Sequence, residues 1–404
     1  INNGQGTLTI TNDGVITSTS SVLLGVRSGS TGTADVSNGG TWNLVNASGA
    51  LQALAVGQGG TGTLNIHADG TVTAGATTIG VNYYGMGTGT VNVDGANATL
   101  NTTSLTVGDT GTSGTLVISD AGVVTGTSAG TIGQGAASTG TVEVGSHSRW
   151  NLVNDSGEAQ NLTVGGNGTG TLNVHTTGTV TAGNTTISSG ATGVGNATVD
   201  GIDAVLNAGI LTVGGRGTGT LAITDSGMVN SASNTIGTNA GSHGTVTIDG
   251  TGSTLADTGA MTVGGAGTGT ITLSNGGTLA MTGGDAITIA SNAGSIGVLN
   301  IGAADGEAAT AAGYVTGTDS IVFGAGTGSI VFNHTVTDPA TAGGYQFTPV
   351  ISGNGNVTQD AGHTVFTQEN TYSGTTSING GTLTIATVSS TGNTGLGTSA
   401  VNIA

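Results

Sequence analysis

Residues 211–264 read LTVGGRGTGTLAITDSGMVNSASNTIGTNAGSHGTVTIDGTGSTLADTGAMTVG. The stretch opens on Leu211-Thr212-Val213-Gly214 and closes on Met261-Thr262-Val263-Gly264, the start of the next copy. Two half-units lie inside it. One is the LTVG element followed by Gly219-Thr220-Leu221-Ala222-Ile223. The other is Thr235-Ile236-Gly237 followed by Gly244-Thr245-Val246-Thr247-Ile248-Asp249-Gly250. The LTVG element also occurs, with small substitutions, at Leu54, Leu105 and Leu162, so its period is about 50 residues. The half-unit of about 25 residues, ranging from roughly 23 to 33, suits one coil of a solenoid.

Strict alternation assigns the faces, because successive side chains of a strand point to opposite sides. The inward set is Leu8/Ile10, Leu64/Ile66, Val91/Val93, Leu116/Ile118, Val142/Val144, Leu172/Val174, Leu221/Ile223, Val246/Ile248 and Ile271/Leu273. The residues between them face out: Thr9, Asn65, Asn92, Val117, Glu143, Asn173, Thr198, Ala222, Thr247 and Thr272. Stacked coils place these one strand spacing apart, about 4.8 Å, as a Thr/Asn ladder. Asp13-Gly14, Asp69-Gly70, Asp94-Gly95, Asp200-Gly201, Asp249-Gly250 and Asn275-Gly276 follow strands, where Gly is expected to supply a positive φ. Trp42 and Trp150 share a repeat position with Leu100, Leu206 and Leu255, which predicts a core role. Both Trp coils are longer and predict a bulge.

Composition narrows the function. The 404 residues include 81 Gly, 2 Pro and no Cys, and net charge is −18. Arg27, Arg149 and Arg216 are the only Lys or Arg residues, so a phosphate backbone or an anionic lipid surface would be repelled. Absence of Cys in a long exported chain points to a bacterium. A start at Ile1 predicts a mature or trimmed fragment. Residues 1–302 read as the repetitive body. Residues 303–404 hold all four Phe and both Pro, and read as a C-terminal continuation and cap.

No constellation of catalytic residues emerges, and an enzyme is not expected. Asp225-Ser226-Gly227 superficially matches a serine nucleophile segment, yet it aligns with the turns Asn12-Asp13-Gly14 and Asp120-Ala121-Gly122. His67 and His175 share a repeat position too far apart for one metal, and read as surface residues. Gly57-Gln58-Gly59-Gly60-Thr61-Gly62 resembles a nucleotide loop without a following helix. The calcium-binding nonapeptide pattern is not repeated. No metal or cofactor is expected.

The repeat LTVGGxGTGTLxITxxGxV…TIG…GTVTIDGxGSTL resembles that of type V secretion autotransporter passengers. NTYSGTTSINGGTLTI (370–385) resembles the passenger-associated transport repeat, and GSIVFNHT (328–335) also resembles such passengers. The style is similar to self-associating adhesins of the AIDA and antigen 43 type. The resemblance implies a right-handed parallel β-helix carried to the bacterial surface by a C-terminal barrel, which this sequence does not contain. It implies a partner that is a second copy on a neighbouring cell, docked antiparallel, and a role in aggregation and biofilm. The expected face is Thr9, Asn65, Asn92, Asn173, Thr198, Thr247 and Thr272. The alternatives are a host-receptor or glycan adhesin using Asn82, Tyr83 and Tyr84 in the least repeat-like loop, or a passive stalk for a missing N-terminal domain.

Overall fold

The computed structural model describes residues 4–83, 85–337, 343–386 and 395–404. It is a parallel β-solenoid of about 15 coils, with about 26 residues per turn and no helix among the described residues. The chain divides into two compact units, one essentially residues 1–209 and the other essentially 210–404.

In the first unit each coil contributes up to three strands. Sheet I carries the Gly-Thr-Leu-x-Ile strands, such as Thr61–Ile66 and Thr88–Asp94. Sheet II follows the Asp-Gly turn with short strands such as Thr71–Thr73 and Thr99–Thr102. Sheet III holds the LTVG strands, such as Leu54–Val56 and Leu105–Val107. Pairing is parallel and in register from coil to coil: Leu64 opposes Val91, Val91 opposes Leu116, and Leu116 opposes Val142. One coil turns Leu64, Ile66, Val72, Ala74 and Ile79 inward, all fully buried. Burying each of its larger aliphatics contributes about 1.5–3 kcal/mol relative to exposure.

Both tryptophans are in the core, at 1% exposure for Trp42 and 0% for Trp150. The Trp42 Nε1–H donates to Ser18 Oγ at 3.0 Å, whereas the Trp150 Nε1–H has no partner. The extra residues of these coils form matching hairpins, closed by antiparallel bridges between Val45 and Leu51 and between Val153 and Ala159. Asn46 Oδ1 accepts from the Ser48 and Ala50 amides, and Asn154 Oδ1 from those of Ser156 and Glu158.

The turns correct one expectation. At Asp13-Gly14 and Asp69-Gly70 the positive φ belongs to the aspartate, 59° at Asp13 and 61° at Asp69. The following glycine is needed for closeness instead: a Cβ on Gly70 would lie 2.4 Å from the Val36 carbonyl oxygen. At Gly95, Gly201 and Gly250 the glycine itself is left-handed, as expected. Asp has a short polar side chain that tolerates the left-handed region, so either residue of the pair can take it.

The second unit keeps the same three strand classes, for example His243–Asp249, Thr254–Asp257 and Met261–Val263. Its final part adds a small parallel sheet of Tyr345–Phe347, His363–Phe366 and Thr382–Ile385. Phe332 packs edge-on against Phe347 and Phe366, with ring centroids 5.0 and 5.6 Å apart. Beside them His334 is fully buried, with Nε2 2.9 Å from Thr364 Oγ1. Burial, with His363 adding to it, pushes its pKa down to about 4 and keeps the ring neutral. Burial also pushes the Tyr345 hydroxyl up, and Tyr314 adds to the shift against a backbone hydrogen bond from Val315.

A polar insertion interrupts the core of this unit. Asp257 and Asn234 are buried at the corner between sheets II and III, where the next coil places Met281 and Met261. Asn234 Nδ2 donates to Asp257 Oδ2 at 2.7 Å and to Ser231 Oγ at 2.9 Å, and the Gly259 amide donates to Asp257 Oδ1 at 3.1 Å. Burial raises the Asp257 pKa, opposed by the Gly259 and Asn234 hydrogen bonds, with the charge of Asp285 adding to the rise. A raised carboxyl pKa contributes stability that is full below the ordinary carboxylate range and lost as pH rises through the folded value. Asp257→Asn is therefore expected to stabilise the protein by about 1 kcal/mol at pH 7 and to flatten its acid profile. Unfolding midpoints between pH 3.5 and 8 measure this. A loss of equal size at every pH would show that the acceptor geometry matters and the charge does not.

Candidate interaction face

The outward positions of sheet I form continuous rows. In the first unit the middle row runs Thr9, Asp35, Asn65, Asn92, Val117, Glu143, Asn173, Thr198 in direct register. In the second unit the register runs Thr247, Thr272, Asn300, Val331, Thr358, Ser377, Asn402, but Asn300 and Val331 are buried and interrupt the exposed face. Thr9 is exposed, while Asn65, Asn92, Asn173, Thr198, Thr247 and Thr272 are half-buried. The asparagines bond along the row. Asn65 Nδ2 donates to Asp35 Oδ1 at 2.6 Å, Asn92 Nδ2 to Asn65 Oδ1 at 2.8 Å, and Asn173 Nδ2 to Glu143 Oε1 at 2.9 Å. Each of these asparagines thus commits one N–H to the ladder, and its other amide hydrogen points elsewhere.

A second row flanks the first: Thr33, Thr63, Thr90, Thr115, Thr141 and Thr171 oppose one another in succession. Its sequence signal is the threonine of Gly-Thr-Leu, two residues before each middle-row position. Ladders also line the other sheets. Sheet II stacks Asn43, Thr73, Asn101, Thr125 and Asn151, and sheet III stacks Thr78, Thr106, Thr131, Thr163 and Thr186. Sheet I is distinguished by its width, since its strands run to six or seven residues against three or four elsewhere in the first unit.

Histidines join this face to its bordering turns. The His175 Nδ1 lies 2.6 Å from Asp200 Oδ1 and its Nε2 2.9 Å from Glu143 Oε2. His67, four coils earlier, places Nδ1 2.5 Å from Asp94 Oδ1. Partial burial works against a charge on His175, but the hydrogen bonds and charges of Glu143 and Asp200 outweigh it, and its pKa is raised. The repeat pattern marked the two histidines as equivalent; their carboxylate partners come from neighbouring coils.

Of the loop residues, Asn82 and Tyr83 are exposed, Tyr83 at 69%, and the adjacent Met86 is 80% exposed. Tyr84 lies outside the described residues. Asp225 and Ser226 form a left-handed turn, φ 51° and 73°, and Ser226 Oγ donates to the Thr251 carbonyl at 3.2 Å. Among the described residues no group of three His, Asp or Glu side chains is placed to hold a metal ion.

No known family model matches the chain. It is 51% identical over 113 residues to the uncharacterized lipoprotein YdeK of Escherichia coli strain K12. That match covers 27% of this chain and 8% of the relative, so the chain spans a small part of that protein's length. Among solved structures, the crystal structure of a TibC-catalyzed hyper-glycosylated TibA fragment aligns over 98% of this chain and 100% of that one. Identity there is 15% and the TM-score 0.35.

Proposed function

We propose that this chain is a non-enzymatic adhesive segment of a bacterial surface protein, an autotransporter-type passenger that binds a second copy through sheet I. The observation that carries this reading is the width and regularity of that sheet's outer face. Rows of Thr and Asn repeat at the strand spacing, with few charges among them. Two such faces docked antiparallel would exchange many small polar contacts in series. A hydrogen bond contributes about 1 kcal/mol net, so affinity grows with the number of coils engaged. Aggregation of cells and biofilm growth would follow from contacts between copies on different cells.

A face built from small polar groups should fail when long charged side chains are placed on it. Asn65→Glu combined with Asn173→Glu, which adds two negative charges beside Asp35 and Glu143, is expected to weaken self-association at least about tenfold, the equivalent of about 1.4 kcal/mol. Sedimentation against concentration reads this in solution. In mixed cultures, displaying cells should clump with one another and exclude bare cells. Equal clumping with bare cells would sink the self-association reading. It would favour a receptor or glycan contact by the exposed Tyr83 and Met86 loop, which Tyr83→Ala would then abolish.

A further inference from the structure

Two copies of one cluster sit on the middle row of sheet I in the first unit. A carboxylate on one coil, Asp35 or Glu143, accepts from an asparagine on the next, Asn65 or Asn173. Two residues further along that coil comes His67 or His175, whose Nδ1 meets Asp94 or Asp200 on the coil after. Asp35 and Glu143 are the only charged residues in that row of the first unit.

The His175 geometry fixes its chemistry. Both ring nitrogens lie against carboxylate oxygens, so both must donate, and only the imidazolium carries two N–H groups. Losing the proton turns a lone pair toward a carboxylate. At the first cluster Asp35 is one methylene shorter than Glu143. It bonds Asn65 and has no hydrogen bond to His67, so that clamp is single-sided. Other titratable groups on these turns are His147 and Asp203 near His175, and Asp69 and Asp120 near His67; none makes an ion pair within 4 Å. The chain has no Lys; of the first unit's two arginines, Arg149 lies on a sheet II strand and Arg27 between the strands Val22–Leu24 and Thr31–Val36. The histidines are the cations seen in ion pairs with Asp94, Glu143 and Asp200. With both protonated, the two clusters carry −2 in place of −4, counting Asp35, Asp94, Glu143 and Asp200 against His67 and His175.

We propose that the Glu143–His175–Asp200 and Asp35/His67–Asp94 clusters are proton-gated charge clamps that make docking of a second copy on sheet I stronger in mildly acidic than in alkaline surroundings. This inference rests on the self-association reading above. Two like faces repel less when each sheds two negative charges, and by linkage association must then take up protons. The raised pKa of His175 agrees in sign, since the clamped form persists below the folded value and is lost as pH rises through it.

The test compares the 404-residue chain with a His67→Gln/His175→Gln double variant by sedimentation at pH 5.5 and 7.5 in low salt. Unfolding curves establish that both are folded. The wild type is expected to associate roughly tenfold more tightly at pH 5.5, and the double variant to lose that dependence. Equal association of the wild type at both pH values, or an unchanged pH effect in the double variant, overturns the proposal. The clamp itself is read separately by NMR titration of the imidazoles. Glu143→Gln should lower the His175 midpoint. An unmoved His175 midpoint overturns the clamp. No association at any pH, with the expected midpoint shift, removes the self-association reading and its regulation but leaves the clamp standing.

Discussion

Gly140→Ala is expected to cost about 3 kcal/mol and to open the coils on either side of it. Gly140 begins the inward series of its sheet I strand, where the chain swings sharply out of sheet III. A Cβ there would lie 2.1 Å from the Val107 carbonyl oxygen and 2.5 Å from the Gly133 amide nitrogen. Both are backbone atoms engaged with each other: the Gly133 N–H donates to Val107 O at 2.8 Å. The added methyl therefore cannot be absorbed by a side-chain rotation. Gly62, Gly89, Gly114 and Gly170 stand in register with it, and each faces the corresponding carbonyl and amide of its own neighbouring coils. Denaturation of the variant, with amide exchange at 107–170, measures the loss. Gly145→Ala is the control, because its Cβ would meet only the His175 Cβ at 3.4 Å, and a change within about 0.5 kcal/mol is expected. Equal effects at the two positions would refute the steric argument.

Trp150→Ala is expected to destabilise by about 3–5 kcal/mol, the range for emptying a fully buried aromatic site. The indole is accommodated by the coil before it. A Cβ on Gly130 would lie 3.0 Å from Trp150 Cζ2, and a Cβ on Gly126 2.8 Å from Leu152 Cδ2. Truncation leaves that space unfilled, since two glycines cannot grow into it. Trp150→Leu should be much milder, because leucine also relieves the unpartnered Nε1–H and matches what Leu100 and Leu206 do in the same column. Trp42→Leu should cost more than Trp150→Leu, as it forfeits the bond to Ser18. Urea titrations of the three variants give the ranking, and parity of the two leucine variants would show that the indole hydrogen bond contributes nothing.

Much of this architecture is readable before any coordinates. Alternation at Leu64/Ile66 or Val91/Val93 fixes which side is dry, and the equivalence of Trp42 and Trp150 with leucines places them in the core. What is not readable depends on neighbours one coil away. Coils vary in length, so cross-coil partners have no fixed separation: Asn234 and Asp257 are 23 positions apart, Glu143 and His175 are 32. No local pattern announces either pair. The glycine of Gly-Thr-Leu was visible in every copy, but its reason is a carbonyl from another coil. The candidate face was half legible: its middle row follows from alternation and the row beside it carries the Gly-Thr-Leu threonine as a signal, whereas the hydrogen bonds from coil to coil emerge only when the coils are stacked.

The common register also bears on how such a gene can change. Thr61 opposes Thr88, which opposes Ser113, each through Gly on Gly and Thr on Thr. If recombination between repeats deleted residues 88–112, Ser113 would inherit the position of Thr88, with the same inward aliphatics and the same corner glycine. The protein would be one rung shorter with its register kept, Ser119 standing where Asp94 meets His67. Length is thereby free to drift by whole coils during replication, so selection can tune how far the molecule reaches without redesigning how it folds.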